Sequence, residues 1–320
     1  MNEIHLVDCT TLSAFLQKHF PIVNIPLKEE EKADFILSDT FTPHIEYFKG
    51  VRILYTGENH PVDLNRFDYC LTHDMRETDR CHRFPYWQFH CLIHHPQYQQ
   101  PLLEPRKTIT AEELIAQQRD FCAFVCRNPK GKERNSLVRN LNEQRKVSCG
   151  GPFMNNMGYI VPKGYDAKQE FLGKHFFTIA YENEAAPGYQ TEKIVDAFLA
   201  NSIPIYWGSK HVAEEFNPKA FVNANDFRSE KALIGYIIDL LNSPEAMADM
   251  LSQPILQDTD VFKKAEQGLI DFFARIFERG PGAIQRTPMQ RFLGVASRYY
   301  GHGLFRTIRY TIRRMKGEYK

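Results

Sequence analysis

The stretch HFFTIAYENEAAPGYQTEKIVDAFLANSIPIYWG, residues 175–208, combines strand-like and helix-like patterns within 34 residues. It opens with the apolar run HFFTIAY and closes with IPIYW, and both runs are typical of buried strands. A polar loop and the segment TEKIVDAFLANS, which we predict to be helical, lie between them. Continuously apolar strands joined by a helix are characteristic of a parallel sheet that is covered on both faces. The stretch therefore predicts a doubly wound α/β fold.

The same alternation extends over most of the chain. Strand-like runs are IHLVD, FPIVNI, ADFILSD, VRILYTG and RFDYCLTH in the first half, and FCAFVC, KVSCGG and AFVNAND around the opening stretch. A Pro- and Gln-rich segment, HHPQYQQPLLEPRKTIT, separates the halves, and Thr110 with Glu113 then forms a capping box. We predict two Rossmann-like domains that face each other across a cleft, residues 1–105 and 106–285, followed by a helical tail, residues 286–320.

Composition narrows the class of protein. Hydrophobic residues make up 43% of the 320 residues and charged residues 25%, as in globular proteins. The net charge of +1 argues against nucleic acid as the main partner. The seven cysteines are an odd number, which favours reduced thiols, and the longest apolar run is too short to span a bilayer. Because the N-terminus also lacks a signal-peptide pattern, we expect a cytoplasmic protein.

Two polar loops follow predicted strands of the second half. In a doubly wound sheet, ligands bind beyond the carboxyl ends of the strands, where helices begin. The loop after FCAFVC and the helix start beyond it carry Arg127, Lys130, Lys132 and Arg134. Tyr181 ends HFFTIAY, and the segment after it carries Tyr189, Thr191, Glu192 and Lys193. Cations at a helix start suit a diphosphate, and a carboxylate suits the vicinal diol of a sugar. Together the loops predict a site for a nucleotide diphosphate that carries a sugar.

Each of these residues also has a simpler interpretation. Glu192 can stabilise the helix dipole as a first-turn acid, with Thr191 as the N-cap. Lys193 and Arg134 can be solvated surface residues. The convergence of both loops at one sheet edge is what favours a binding site.

The stretch FFTIAYENEAAPGYQTEKIVDAFLANSIPIYWGS resembles the signature of the α-1,3/4-fucosyltransferases, in which F-E-N, a loop, Y-x-T-E-K, a helix and I-P-[IV]-x-x-G follow in order. FCAFVCRNPKGKERN upstream is similar to the family's F-x-x-R-N segment, and YTGENHPVD to its G-E-N-x-x-P segment. The similarity runs from about Val51 to Phe227. Two departures are Tyr181, where the family usually has Phe, and the loop EAAPG.

The resemblance implies a GT-B inverting glycosyltransferase that uses GDP-fucose as co-substrate and requires no metal. The implied donor-binding residues are Arg134, Asn183, Tyr189, Glu192 and Lys193. Arg134 and Lys193 would hold the diphosphate, and Glu192 the ribose diol. Glu58, in TGEN, would be the general base. The implied acceptor is a lactosamine-type oligosaccharide, free or lipid-linked, which would yield Lewis-type glycans. A transferase for another nucleotide sugar and a non-catalytic sugar-nucleotide sensor are the alternatives.

Three further features carry weaker signals. The acidic triplet at Asp258–Asp260 fits a helix cap better than a metal site. Cysteines and histidines gather between Cys81 and His95, but their spacing matches no standard zinc pattern. The tail GLFRTIRYTIRRMK predicts a basic amphipathic helix, which can lie on an anionic membrane or dock on the protein itself.

Overall fold

The computed structural model describes residues 4–8, 10–24, 33–42, 45 and 48–282. These residues divide into two compact units. The first comprises the described residues up to Phe84 together with those from Ala265 onward, and the second is Pro85–Lys264. Cys9 and the predicted tail, residues 286–320, lie outside the described residues.

The first unit is built on a parallel sheet. Its described strands are β1 (Ile4–Asp8), β2 (Val23–Asn24), β3 (Phe35–Ser38), β4 (Val51–Tyr55), β5 (Tyr69–Thr72) and β6 (Cys81–Arg83). They are ordered β2-β1-β3-β4-β5-β6, with parallel pairing between neighbours. Helix α1 (Ser13–His19) connects β1 to β2 and buries Phe15 and Leu16. The sequence did not predict β6, because its three residues, Cys-His-Arg, contain no apolar run.

The second unit contains another parallel sheet. Its described strands are β7 (Asp120–Phe124), β8 (Val147–Cys149), β9 (His175–Tyr181), β10 (Ile203–Trp207) and β11 (Val222–Asn223). They are ordered β11-β10-β9-β7-β8, again with parallel pairing. Four of them lie within segments that the sequence predicts as strands, and β7 begins one residue before the predicted run FCAFVC.

Helices surround this second sheet. They are α2 (Tyr86–Phe89), α3 (Gln99–Leu103), α4 (Ala111–Ala116), α5 (Lys132–Gln144), α6 (Tyr165–Gly173), α7 (Glu192–Leu199), α8 (Val212–Glu215), α9 (Glu230–Leu241) and α10 (Pro244–Ser252). A π-helical turn, His90–His94, follows α2. Helix α11 (Val261–Arg279) comes last, and its residues from Ala265 onward belong to the first unit. The predicted capping box at Thr110 and Glu113 is confirmed at the start of α4.

Both faces of the second sheet are covered by apolar side chains. Ile179 of β9 packs in one buried cluster with Leu137 of α5, whereas its neighbour Ala180 packs in another with Val195 of α7. Successive side chains of a strand point to opposite faces, so the two clusters lie on opposite sides of the sheet. The predicted doubly wound α/β class is therefore confirmed.

The units divide at Phe84, upstream of the domain boundary that the sequence predicts at residue 105. The reason is tertiary packing, because Trp87 and Leu102 are buried in one apolar cluster with Ile194 and Phe198 of α7. The segment that carries them therefore belongs with the second sheet. No helix among the described residues is both long enough and apolar enough to cross a membrane.

Candidate functional site

The predicted polar loops follow two adjacent strands of the second sheet. Strands β7 and β9 pair in parallel, with Ala123 opposite Thr178, so their carboxyl ends lie at one edge. The loop after β7 leads into α5, and the loop after β9 leads into α7. The expected convergence of the two loops is therefore present in the fold.

Arg134 is buried at the start of α5. Its Nη1 donates to Oδ1 of Asn183, 2.7 Å away, and this bond joins the two loops directly. Its Nη2 donates to the backbone carbonyls of Asn128, at 2.7 Å, and Lys130. Nε has no hydrogen-bond partner among the described residues. Only 2% of the residue is exposed, so it is not the solvated loop cation of the simpler interpretation.

The backbone before α5 makes room for this arginine. Gly131 has a φ of 111°, and a Cβ atom there would lie 3.2 Å from the guanidinium carbon of Arg134. A residue other than glycine would therefore be strained and would also crowd the guanidinium group. By contrast, Arg127, Lys130 and Lys132 are exposed.

Lys193 lies in the first turn of α7, where it contacts a carboxylate that the sequence analysis did not assign. Its Nζ donates to Oε2 of Glu182 and to Oγ1 of Thr191, each at 2.9 Å. Glu182 has no exposed surface and also accepts from the backbone amide of Thr191 at 2.7 Å. The Thr191 hydroxyl donates to Glu182 at 2.8 Å and makes no cap bond to α7. Thr191 thus occupies the predicted N-cap position without capping the helix through its side chain.

Opposite charges around the start of α7 attract one another, although burial outweighs this attraction for Glu182 and raises the pKa of its carboxyl. Burial opposes the charge of Lys193, but the Glu182 and Glu192 carboxylates outweigh burial and raise the pKa of this lysine. Burial likewise opposes ionisation of Glu192, but Lys193 and Lys168 hold the pKa of this carboxyl well below its usual value. Lys193 is therefore charged and Glu192 ionised at neutral pH.

A second buried carboxylate, that of Asp196, lies one helical turn after Glu192 on α7. Asp196 has no exposed surface, and its Oδ2 accepts from Nζ of Lys168 on α6 at 2.5 Å. Its Oδ1 lies 3.9 Å from Nε2 of His90, which belongs to the π-helical turn. Burial lowers the pKa of His90 to about 4, so the imidazole is neutral at pH 7.

The two tyrosines that the sequence analysis considered as stacking surfaces are buried. Tyr189 is 2% exposed and Tyr181 4% exposed. Tyr181 stacks on Trp207, with ring centroids 5.7 Å apart, and belongs to the core cluster of the second sheet. Both rings therefore expose too little surface for a base or a sugar to stack on them.

Glu58 lies in the first unit, in the loop after β4. It is exposed, and its backbone is held by Thr56, whose hydroxyl donates to the Glu58 carbonyl at 3.1 Å. The side chain thus follows the carboxyl end of a strand, as predicted. Each unit is compact in itself, and the candidate base and the candidate donor residues belong to different units.

Among the described residues, no group of three or more His, Cys, Asp or Glu side chains is arranged to hold a metal ion. Cys91, one of the cysteines considered for zinc, is fully buried in the apolar cluster around Trp87. The acids of the triplet pair instead with lysines of α11: Asp258 with Lys264 at 2.6 Å, and Asp260 with Lys263 at 3.1 Å.

Glu182, Asp196 and Lys168 were not predicted as site residues from the sequence. Two of them left a visible signal, because Glu182 ends the apolar run HFFTIAY and Asp196 interrupts the apolar IVDAF. A single acid next to or within a buried apolar run is costly unless it is paired. Lys168 left no such signal, since its helix is largely polar.

Two family models match the chain. A model described as the glycosyltransferase family 10 (fucosyltransferase) C-terminal region matches residues 114–252. A model of the α-(1,3)-fucosyltransferase FucT N-terminal domain matches residues 6–90. The two matches fall in the second and first halves of the chain, respectively, and do not overlap.

Individual relatives agree with these models. An α-(1,3)-fucosyltransferase (FucT) of Helicobacter pylori is 34% identical over 241 residues, which cover 68% of this chain and 49% of that protein. The chain thus spans about half the length of this curated relative. A crystal structure of an α1,3-fucosyltransferase with GDP-fucose has a TM-score of 0.65 at 28% identity and covers 85% of this chain and 90% of its own. Another, without a named ligand, has a TM-score of 0.69 at 27% identity, with coverage of 87% and 90%.

Proposed function

The chain belongs to the fucosyltransferases of glycosyltransferase family 10, and on that premise we propose that it transfers L-fucose from GDP-fucose to N-acetylglucosamine. The transfer inverts the configuration at the anomeric carbon of fucose, and the preferred attacking hydroxyl of the acceptor sugar is at O3. The observation that carries this proposal is the pairing of Arg134 with Asn183, which brings a buried cation to the sheet edge where α7 begins, with Lys193 in its first turn. The proposed donor site lies in the second unit and the proposed acceptor site in the first.

The leaving group sets the electrostatic requirement of the reaction. As the bond from C1 of fucose to GDP breaks, negative charge develops on the β-phosphate. Arg134 and Lys193 stabilise that charge more strongly in the transition state than in the bound substrate, and this difference accelerates the reaction. The Nε–H of Arg134 is buried without a hydrogen-bond partner among the described residues, and we propose that a phosphate oxygen becomes that partner when the donor binds.

Glu192 binds the ribose. An ionised carboxylate accepts one hydrogen bond from each hydroxyl of a vicinal diol, and the neighbouring lysines keep Glu192 ionised. Asn183 contributes by orienting Arg134, and Tyr189 supports the loop between β9 and α7. Two cations neutralise the diphosphate, so the proposed reaction needs no metal.

Glu58 is the proposed general base. Direct displacement with inversion requires a base for the acceptor hydroxyl while the sugar ring gains oxocarbenium character. Such proton transfer contributes about 10²–10⁴ in rate. The exposed carboxylate after β4 is free to meet an acceptor that the first unit binds.

The proposed acceptor is a lactosamine-type oligosaccharide, and its fucosylated products are Lewis-type glycans, including those of lipopolysaccharide. A lipid-linked acceptor would place the enzyme at a membrane surface. The basic segment from Ser297 onward, with seven Lys or Arg and one Glu, suits an anionic membrane. It lies outside the described residues, so this contact rests on sequence alone. Truncation after Arg298 should abolish flotation with anionic vesicles; unchanged flotation would contradict membrane binding by the tail.

One assay separates this function from its alternatives. The purified chain is incubated with GDP-fucose, and GDP release is measured with and without N-acetyllactosamine. Release that depends on the acceptor supports the transferase. A transferase for another nucleotide sugar would turn over only with a different donor, and a sensor would bind GDP-fucose without releasing GDP. Absence of any guanosine diphosphate binding in calorimetry would overturn the donor assignment as a whole.

A further inference from the structure

Asp196 is an unusual residue in the second unit because it is a carboxylate without exposed surface and with few partners. Only its Oδ2 is hydrogen-bonded among the described residues, and that bond comes from Lys168. Its Oδ1 lies 3.9 Å from the equally unsatisfied Nε2 of His90. Burying a charge in this way costs free energy, and an apolar residue of similar size would pack on α7 without that cost. Stability alone therefore does not explain why this position carries a buried ion pair.

The position of Asp196 on α7 suggests what the pair does. Asp196 follows Glu192 by four residues, so the two carboxylates lie on the same face of the helix, one turn apart. Asp196 holds the ammonium group of Lys168. That group therefore lies at a distance of about one helical turn from Glu192. Lys193, the sequence neighbour of Glu192, directs its own hydrogen bonds to Glu182 and Thr191.

Electrostatics connects Lys168 to Glu192 as well as to Asp196. Both carboxylates stabilise the charged form of this lysine, and Lys168 in turn stabilises the ionised form of Glu192. Three-quarters of the Lys168 side chain is shielded from solvent, so this interaction is only weakly screened. Lys168 comes from α6, an element that contains none of the donor residues assigned from the family resemblance.

We propose that Lys168 is a positioning residue of the ribose subsite: Asp196 anchors its ammonium group so that it orients the Glu192 carboxylate toward the two ribose hydroxyls. This inference rests on the proposed function, in which Glu192 binds the diol. It differs from a purely structural role, in which the ion pair would only attach α6 to α7.

Calorimetry with two nucleotides distinguishes these roles. GDP and 2′,3′-dideoxy-GDP share the base and the diphosphate, and only GDP offers the diol. Wild-type protein should prefer GDP, and Lys168→Met should reduce that preference by about five- to tenfold. Its affinity for the dideoxy nucleotide should stay unchanged. Lys174→Met is the matched control, because Lys174 also lies at α6 but pairs with Glu170 on the surface and should leave the preference intact.

Two further variants guard against a folding artefact. Lys168→Met with Asp196→Asn removes the buried charge together with its partner and should reproduce the lost preference. In a Glu192→Gln background, Lys168→Met should have no further effect on the preference, because the residue through which it acts is gone.

The possible outcomes distinguish a failure of the positioning role from a failure of the proposed function. Equal weakening of both nucleotides by Lys168→Met, or an unchanged preference, would overturn the positioning role and leave the proposed function standing. If the wild-type protein binds both nucleotides equally well, the diol assignment of Glu192 fails, and the positioning role fails with it. If it binds neither nucleotide, the proposed function itself fails.

Discussion

The ammonium nitrogen of Lys193 lies 2.9 Å from a carboxylate oxygen of Glu182, a residue with no exposed surface. This contact holds the Lys193 side chain at the first turn of α7 before any phosphate binds. A preorganised cation loses less conformational entropy when it binds an anion than a freely rotating one does. Glu182 thus has a structural link to the proposed leaving-group site, although it offers no free surface to a ligand.

Glu182→Gln should weaken both the fold and nucleotide binding. The amide oxygen can still accept from Thr191, but the charge that holds Lys193 is lost. We expect a loss of about 1–3 kcal/mol in the free energy of unfolding, since a charge-assisted bond from a buried group is removed. The melting temperature and the Kd for GDP report the two effects. Glu143→Gln, which changes an exposed acid near the end of α5, is the control, and equal behaviour of the two variants would contradict the prediction.

Arg134→Lys should not behave as a conservative change. The guanidinium group reaches Asn183 and the carbonyls of Asn128 and Lys130 at once, and a lysine cannot reproduce that fork. We expect GDP affinity to fall at least about tenfold, because the cation is displaced and Asn183 loses its partner. Arg139→Lys, an exposed change on the same helix, should leave affinity unchanged in the same calorimetric titration. Retention of wild-type affinity by Arg134→Lys would argue against a phosphate-binding role.

Glu58→Ala should separate chemistry from donor binding. Turnover should fall by about 10²–10⁴, the usual contribution of a general base, while the Kd for GDP stays constant. Glu58→Gln, which keeps the size and removes the basicity, should show the same loss. Lys193→Ala, by comparison, should lose both turnover and GDP affinity. A Glu58→Gln variant with wild-type kcat would exclude the carboxylate as the base.

His73 should make stability depend on pH. Burial is the main cause that lowers the pKa of this histidine, from 6.5 to about 4. Between these values the unfolded chain binds a proton that the folded chain does not, so stability is complete above pH 6.5 and is lost as the pH falls toward 4. We expect protonation of this residue to lower the free energy of unfolding by about 2–3 kcal/mol between pH 7 and pH 4.5.

Urea unfolding at these two pH values tests the assignment. His73→Gln should show a smaller difference in unfolding free energy between pH 7 and 4.5 than the wild-type protein. A titration of the His73 ring followed by NMR should place its pKa near 4. A ring that titrates near 6.5 would contradict the prediction.

Much of the fold could be predicted from local patterns. The apolar runs that contain β9 and β10, the helical segment between them and the capping box at Thr110 each depend on residues close in sequence. Arg134 and Lys193 could be selected as candidates because each lies just inside a helix that follows a predicted strand. The boundary at residue 105 could not be refined in this way, since the burial of Trp87 against α7 joins residues about a hundred positions apart.

By itself, the sequence determined the two parallel sheets, their connecting helices and the loops that carry the proposed donor residues, because each depends on hydrophobic period, turn chemistry and an ordered motif. Only the tertiary structure decided which acids are buried and what they hold. Glu182 and Asp196 are both single acids beside apolar residues, and they differ from surface acids because Lys193 and Lys168 neutralise them after folding. The physical reason is that the free energy of a buried charge depends on its distance to a counter-charge, and for Asp196 that counter-charge comes from another helix, 28 residues earlier in the chain.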